Sequence, residues 1–241
     1  MLNFIKKIFS IFSIFLIFNL TFVNSAQAGP SNVTTASVGT GGGSTAIKPQ
    51  AIAFNGNGEK MFVLHNRTPD SGPTSNGDSV EEYDLGTGFD ISASSFGSRQ
   101  ERKVIKDQEN APRGFAFNND GTKMFVVGAN GDDVNEYTID SGFDLSSTIT
   151  FIDSKDISGQ DTDPQGIAFN DDGTKMFVVG NAGDDVNEYT LTTGFDVSSA
   201  SFVDSFEIHN DQDDTPRGIA FNNDGTKMFV VGDDDNDINE Y

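Results

Sequence analysis

The chain of 241 residues has no cysteine, no tryptophan and only two histidines. Without cysteine there is no disulfide framework and no thiol nucleophile, so stability rests on a packed core. Basic residues are scarce: 15 Lys and Arg stand against 37 Asp and Glu, a net charge of −22. A surface that negative repels nucleic acid and anionic lipid and attracts cations, which excludes phosphate-backbone recognition as a function. No window of useful length has helical periodicity, and the Gly-x-Ser-x-Gly nucleophile elbow is missing. Long apolar runs are absent too, with one exception at the amino terminus.

That exception has the form of a secretory leader. Lys6 and Lys7 precede the apolar run Ile8 to Phe18, and Ala26-Gln27-Ala28 supplies a small-x-small cleavage site. The run is shorter than the roughly 20 residues that a spanning helix needs. Residues 1–28 are therefore expected to be removed, leaving an exported chain from Gly29 with no membrane insertion. Periplasm, cell surface and medium stay open as destinations.

The chain's main content is one repeated sentence. "PRGIAFNNDGTKMFVVG" runs from Pro216 to Gly232, near copies start at Pro112 and Pro164, and the divergent "PQAIAFNGNGEKMFVLH" starts at Pro49. Each unit of about 52 residues reads as four strands. Gly218–Asn222 and Lys227–Val231 join through the Asp224-Gly225 turn signal, Val186–Leu191 exemplifies the third strand, and Ser199–Ile208 the fourth, after a turn on Gly194. Four antiparallel strands repeated head to tail predict an all-β fold, a β-propeller of four-stranded blades. On the first strand Gly218 and Ala220 alternate with Ile219 and Phe221, a small face and a large one by which neighbouring blades interdigitate.

Within a propeller domain spanning 29–241, full blades are expected over 49–111, 112–163 and 164–215, with a partial blade over 216–241. Residues 29–48 contain Ser31–Ser37, which aligns with Phe195–Ser201 and is expected to supply a closing outer strand to the partial blade. Two architectures stay open: a ring closed by four blades, or a section of a larger propeller or array.

The Pro-x-Gly-Ile-Ala-Phe strand and the Asp-Gly hairpin resemble the YVTN-type repeat of the lactonase-like β-propellers. That resemblance implies the propeller fold and raises lactone hydrolysis, by a few axial carboxylates and amides around a divalent ion, as an activity. The chain departs from the pattern twice. Phe-Val-Val-Gly replaces Tyr-Val-Thr-Asn, and the insert Gly194–Phe202 lengthens each blade.

Propeller topology places the loops entering each first strand and those joining second to third strands on one face. Here these are the acidic loops, so carboxylates gather at one mouth of the channel. Asp132, Asp133, Asp184, Asp185 and Asp237 are the candidates for calcium, which takes six to eight oxygens. Solvated turn residues are the competing expectation, and no cofactor is required. Arg113 and Arg217, each following a blade-opening proline, are candidates to grip an anionic ligand group or to neutralise nearby Asp. Glu82, Glu136, Glu188 and Glu240 recur with Lys60, Lys123, Lys175 and Lys227 on the neighbouring strand, which points to cross-strand pairing. Singular features are better candidates for binding: the loop His65–Ser79 with His65 and Arg67, and His209. No residue is assigned as catalytic. The pattern favours a binding or scaffold module for a protein, glycan or small cationic ligand. A lactonase-like, calcium-dependent hydrolase and a section of a structural surface array are the alternatives.

Overall fold

The structure, a computed structural model, describes residues 34–38, 46–68, 77–92, 96–105, 107–208, 215–233 and 237–241. It is an all-β chain of four antiparallel blades in a β-propeller arrangement. Blade 1 comprises β1 (Ala46–Phe54), β2 (Lys60–Thr68), β3 (Ser79–Leu85) and β4 (Phe96–Val104). Blade 2 comprises β5 (Pro112–Phe117), β6 (Lys123–Gly128), β7 (Asp133–Ile139) and β8 (Ile149–Asp156). Blade 3 comprises β9 (Pro164–Phe169), β10 (Lys175–Gly180), β11 (Asp185–Leu191) and β12 (Ala200–Glu207). Blade 4 has β13 (Pro216–Phe221), β14 (Met228–Gly232) and β15 (Ile238–Glu240). In every sheet the strand order follows the sequence, and every pairing is antiparallel. Among the described residues β15 has no fourth strand beside it; of the segment 29–48 expected to close that blade, Thr34–Val38 is in no ladder and Val38 packs on blade 1, while Ala46–Lys48 belong to β1. The leader, residues 1–28, lies outside the described residues, and among these no helix is long and apolar enough to cross a membrane.

The hairpin between first and second strands is fixed by the residues its sequence repeats. Asn222 Oδ1 accepts the Lys227 N–H at 2.9 Å, Asp224 Oδ1 accepts the Thr226 N–H at 3.1 Å, and Gly225 takes φ of 65°. The turn before the fourth strand works differently from its sequence signal. The left-handed residue is Phe195 (φ 58°), not Gly194. Gly194 is needed because a Cβ there would lie 2.2 Å from the carbonyl oxygen of Asp172.

Blades interlock through the small and large faces. Phe115, Met124, Val126 and Tyr137 of blade 2 pack on Phe62, Leu64 and Val80 of blade 1, and the two later junctions repeat this set one blade further on. Each junction is pinned by phenylalanines. Phe62 of blade 1 meets Phe117 and Phe143 of blade 2 at 4.7 and 6.1 Å, and Phe125 meets Phe169 and Phe195 of blade 3 at 4.4 and 6.2 Å. Near the axis the first strands approach backbone to backbone: a Cβ on Gly166 would meet Gly218 Cα at 3.2 Å and Arg217 O at 3.3 Å. At the periphery the third and fourth strands slip register once in blades 2 and 3, leaving Ile152 and Val203 as extra residues in β8 and β12, and twice in blade 1.

The two end faces differ from the inner ones. Val127, Val134, Val179 and Val186 are wholly buried by the following blade, while Val231 and Ile238, their counterparts on blade 4, are 44% and 70% exposed. Ile52 of blade 1 is 52% exposed where Phe115 and Ile167 are 7%. No core cluster of described residues joins blade 4 to blade 1.

Candidate functional site

The four recurring glutamates all pair with a lysine across the strand, and two of them also clamp a blade junction. Lys123 Nζ donates to Glu136 Oε1 at 2.6 Å, and Lys60–Glu82, Lys175–Glu188 and Lys227–Glu240 pair in the same way. The second carboxylate oxygen reaches the next blade: Glu136 Oε2 accepts the Val197 N–H at 2.9 Å, and Glu82 Oε2 accepts the Leu145 N–H at 2.7 Å. Lys123 Nζ also donates to the Phe195 carbonyl at 2.6 Å. Cross-strand pairing was legible in the sequence. The grip on the neighbouring blade was not.

The acidic loops use their carboxylates locally. Asp133 Oδ1 accepts from Asn135 Nδ2 at 2.6 Å, Asp185 Oδ1 from Asn187 Nδ2 at 2.6 Å, and Asp237 Oδ1 from Asn239 Nδ2 at 3.0 Å. Asp132 and Asp184 take left-handed backbone (φ 51° and 48°), and their carbonyls accept the N–H of Ile157 and Ile208. Among the described residues no three His, Asp or Glu side chains gather as metal ligands would. The carboxylates of Asp133, Asp185 and Asp237 are thus engaged within their own blades. Burial pushes the Asp185 carboxyl up to about 6 and moves Asp133 in the same direction.

Arg217 is exposed; its Nε donates to Asp233 at 2.9 Å and its Nη1 to Gln165 Oε1 of blade 3 at 3.0 Å. It therefore neutralises an aspartate and ties two blades. Arg113 is half-buried, and its Nε has no hydrogen-bond partner among the described residues. Arg67 lies on β2 opposite Ile47, and His209 and most of the loop after His65 fall outside the described residues.

Blade 1 holds one polar cluster that the other blades lack. In blades 2 and 3 an acid from the entering loop covers a glycine: a Cβ on Gly128 would lie 2.5 Å from Glu109 Cδ, and one on Gly180 would lie 2.0 Å from Asp161 Cγ. Blade 1 has Ala46 in the acid's sequence position and His65 in the glycine's. It also has Ser79 and Glu81 where blade 2 has Asp133 and Asn135, so the carboxylate has moved two residues along the same strand face. His65 and Glu81 are wholly buried, with Nε2 3.4 Å from Glu81 Oε2. Tyr83 Oη donates to Glu81 Oε2 at 2.8 Å, and Arg99 Nη1 donates to Oε1 at 3.0 Å. Glu81, Tyr83 and Arg99 were missed by sequence reasoning, although the replacement of the repeat's Asn by Glu81 was visible. Nearby Glu109 is also buried; desolvation, with Asp133 and Asp78 adding repulsion against its backbone hydrogen bonds, pushes it up to about 7. A His–Glu pair can act as a base in general; here both side chains are wholly buried, and neither ring nitrogen of His65 has a hydrogen-bond partner among the described residues.

A cavity of ≈ 300 Å³ lies on the same open face of blade 1, lined by apolar groups that include Val38, Ala51, Ile52, Met61, Val63 and Ile91. It occupies the place where an inner blade receives its predecessor.

No family model matches the chain, and no curated protein is similar to it in sequence. Solved propellers are similar in fold. A Bacteroides fragilis protein assigned as a 6-phosphogluconolactonase superposes with a TM-score of 0.54 at 14% identity, over 80% of this chain and 50% of its own. A Lactobacillus plantarum protein gives 0.57 at 15% identity, over 81% and 51%. Hydrazine synthase of Kuenenia stuttgartiensis gives 0.51 at 15%, over 80% and 58%. The chain thus spans about half the length of the solved propellers it matches.

Proposed function

We propose that this protein is an exported β-propeller scaffold that works by docking a protein partner against an open blade face. The observation that supports the reading is the apolar cavity on blade 1. It is lined by the same repeat positions that bury against a neighbour inside the chain, while the chemically capable groups His65 and Glu81 are sealed from it. Propellers host unrelated functions, so the site rather than the fold carries the assignment. The leader-like segment and the acidic surface fit an exported chain kept soluble by charge.

A lactone hydrolase is the second reading, favoured by the fold of the Bacteroides fragilis protein. In that reading Glu81, held by Tyr83 and Arg99, is the candidate base. The two are separated by following acid release from glucono-δ-lactone and its 6-phosphate. The scaffold reading expects the spontaneous rate. Turnover above that rate which Glu81→Gln abolishes would replace the scaffold with the hydrolase.

A further inference from the structure

Three junctions within this chain show how one blade receives the next, and the two end faces carry the halves of a fourth. On the receiving side, Phe54 and Phe89 of blade 1 stand 5.3 Å apart, like Phe117–Phe143 at 5.3 Å and Phe169–Phe195 at 5.4 Å. In those inner pairs the third ring is Phe62 or Phe125 of the preceding blade. The ring at that repeat position on blade 4 is Phe229. Phe89 is 41% exposed, whereas Phe143 and Phe195 pack against the preceding blade's cluster. Phe89 also has the same left-handed backbone (φ 59°) as Phe143 and Phe195, so the turn is already in its docked shape.

The clamp is likewise present and unfilled. Glu136 is 2% exposed while holding the Phe195–Val197 turn, and Glu240 is 51% exposed with Lys227 beside it. The corresponding turn on blade 1 runs from Phe89 to Ile91. Val231 and Ile238 are exposed on blade 4, and the cavity lined by Ile52, Met61 and Val63 is open on blade 1.

We propose that blade 4 of one copy docks on blade 1 of a second copy, Phe229 completing the Phe54–Phe89 pair and Lys227–Glu240 gripping the Phe89–Ile91 turn. The junction is head to tail, and two such junctions close a two-copy ring of eight blades, within the range propellers adopt. A second copy is favoured over the chain's own blade 1 because Ile52 and Phe89 of blade 1 and Val231 and Ile238 of blade 4 stay exposed, and no core cluster of described residues joins the two blades. The proposal rests on the scaffold reading and names its partner.

Light scattering on the purified chain across a wide concentration range tests it. The expected mass is two chains. Ile238→Asp and Phe89→Asn change exposed residues, the second to a residue that tolerates left-handed backbone. Each should loosen the dimer at least ~10-fold with the β-sheet circular dichroism spectrum retained. Glu240→Ala, on a half-exposed side chain, gives the same readout should either variant misfold. A monomer, an unbounded series of masses, or a dimer indifferent to all three changes overturns the two-copy ring. Lactone turnover bears only on the scaffold reading, so the two failures are distinguishable.

Discussion

Glu136 and Val197 meet across a blade boundary, the carboxylate of one accepting the backbone N–H of the other at 2.9 Å while its second oxygen holds Lys123. The contact converts a pairing inside one sheet into a joint between two. Removing the carboxylate strands a buried backbone donor and a lysine together. Glu136→Ala should therefore cost about 3 kcal/mol in urea unfolding, in the range for breaking a buried pair. Glu240→Ala removes the same pair where it is exposed and should cost under about 1 kcal/mol in the monomeric chain. Equal losses at the two positions would mean that the joint contributes nothing.

Acid should stabilise the fold before it destroys it. Glu109 titrates near 7 and Asp185 near 6, both above the ordinary carboxylate range, so the folded chain binds these protons more tightly than the unfolded one. Stability is then highest below those values and falls as pH rises through 6 and 7. Asp120, Asp172 and Asp224 act oppositely. Hydrogen bonds from Thr122, Thr174 and Thr226 hold them low, so their contribution is lost only as pH drops below the ordinary Asp range. Denaturant midpoints from pH 4 to 8 should fall with pH, and Glu109→Gln should flatten the upper part of that slope. An unchanged slope in the variant would place the titration elsewhere.

Calcium and magnesium should raise the melting temperature equally at matched ionic strength. Asp133, Asp185 and Asp237 are engaged within their own blades, and screening alone relieves repulsion in so charged a chain. A rise specific to calcium would locate a site in the acidic loops.

Gly166→Ala should be far more damaging than Gly218→Ala. The first places a Cβ 3.0 Å from Val179 Cγ1 and also 3.2 Å from Gly218 Cα and 3.3 Å from Arg217 O in the next blade, so two backbones must move apart, at a cost of about 1–3 kcal/mol. The second meets only Val231 Cγ1 at 3.1 Å. Thermal unfolding of the two variants checks the difference, and similar losses would show that the innermost strands do not depend on that approach.

The strands, the blade count and the interdigitating faces could be read from the sequence because the repeat prints the same periodicity four times. Positions such as Ile219 and Phe221 report burial by alternation alone. Junction chemistry could not be read in that way. Glu136 and Val197 are 61 residues apart, and nothing local marks the glutamate's second oxygen as reaching outward. The Gly-Phe-Asp turn misled for a related reason, since its glycine is demanded by a carbonyl of another hairpin rather than by its own φ. His65 drew notice by rarity, but its buried partner Glu81 was hidden inside a word otherwise almost unchanged from blade to blade.

The register slip in each outer strand bears on how such molecules behave when crowded. Ile152 and Val203, 51% and 44% exposed, are the supernumerary residues of β8 and β12, flanked by Asp153 and Asp204. A passing strand that began to zip along this rim would meet an interrupted ladder and then like charge. The rims of blades 2 and 3 are thereby poor templates for fibril growth, which lets them keep aromatic and aliphatic residues at the periphery without seeding cross-β stacks.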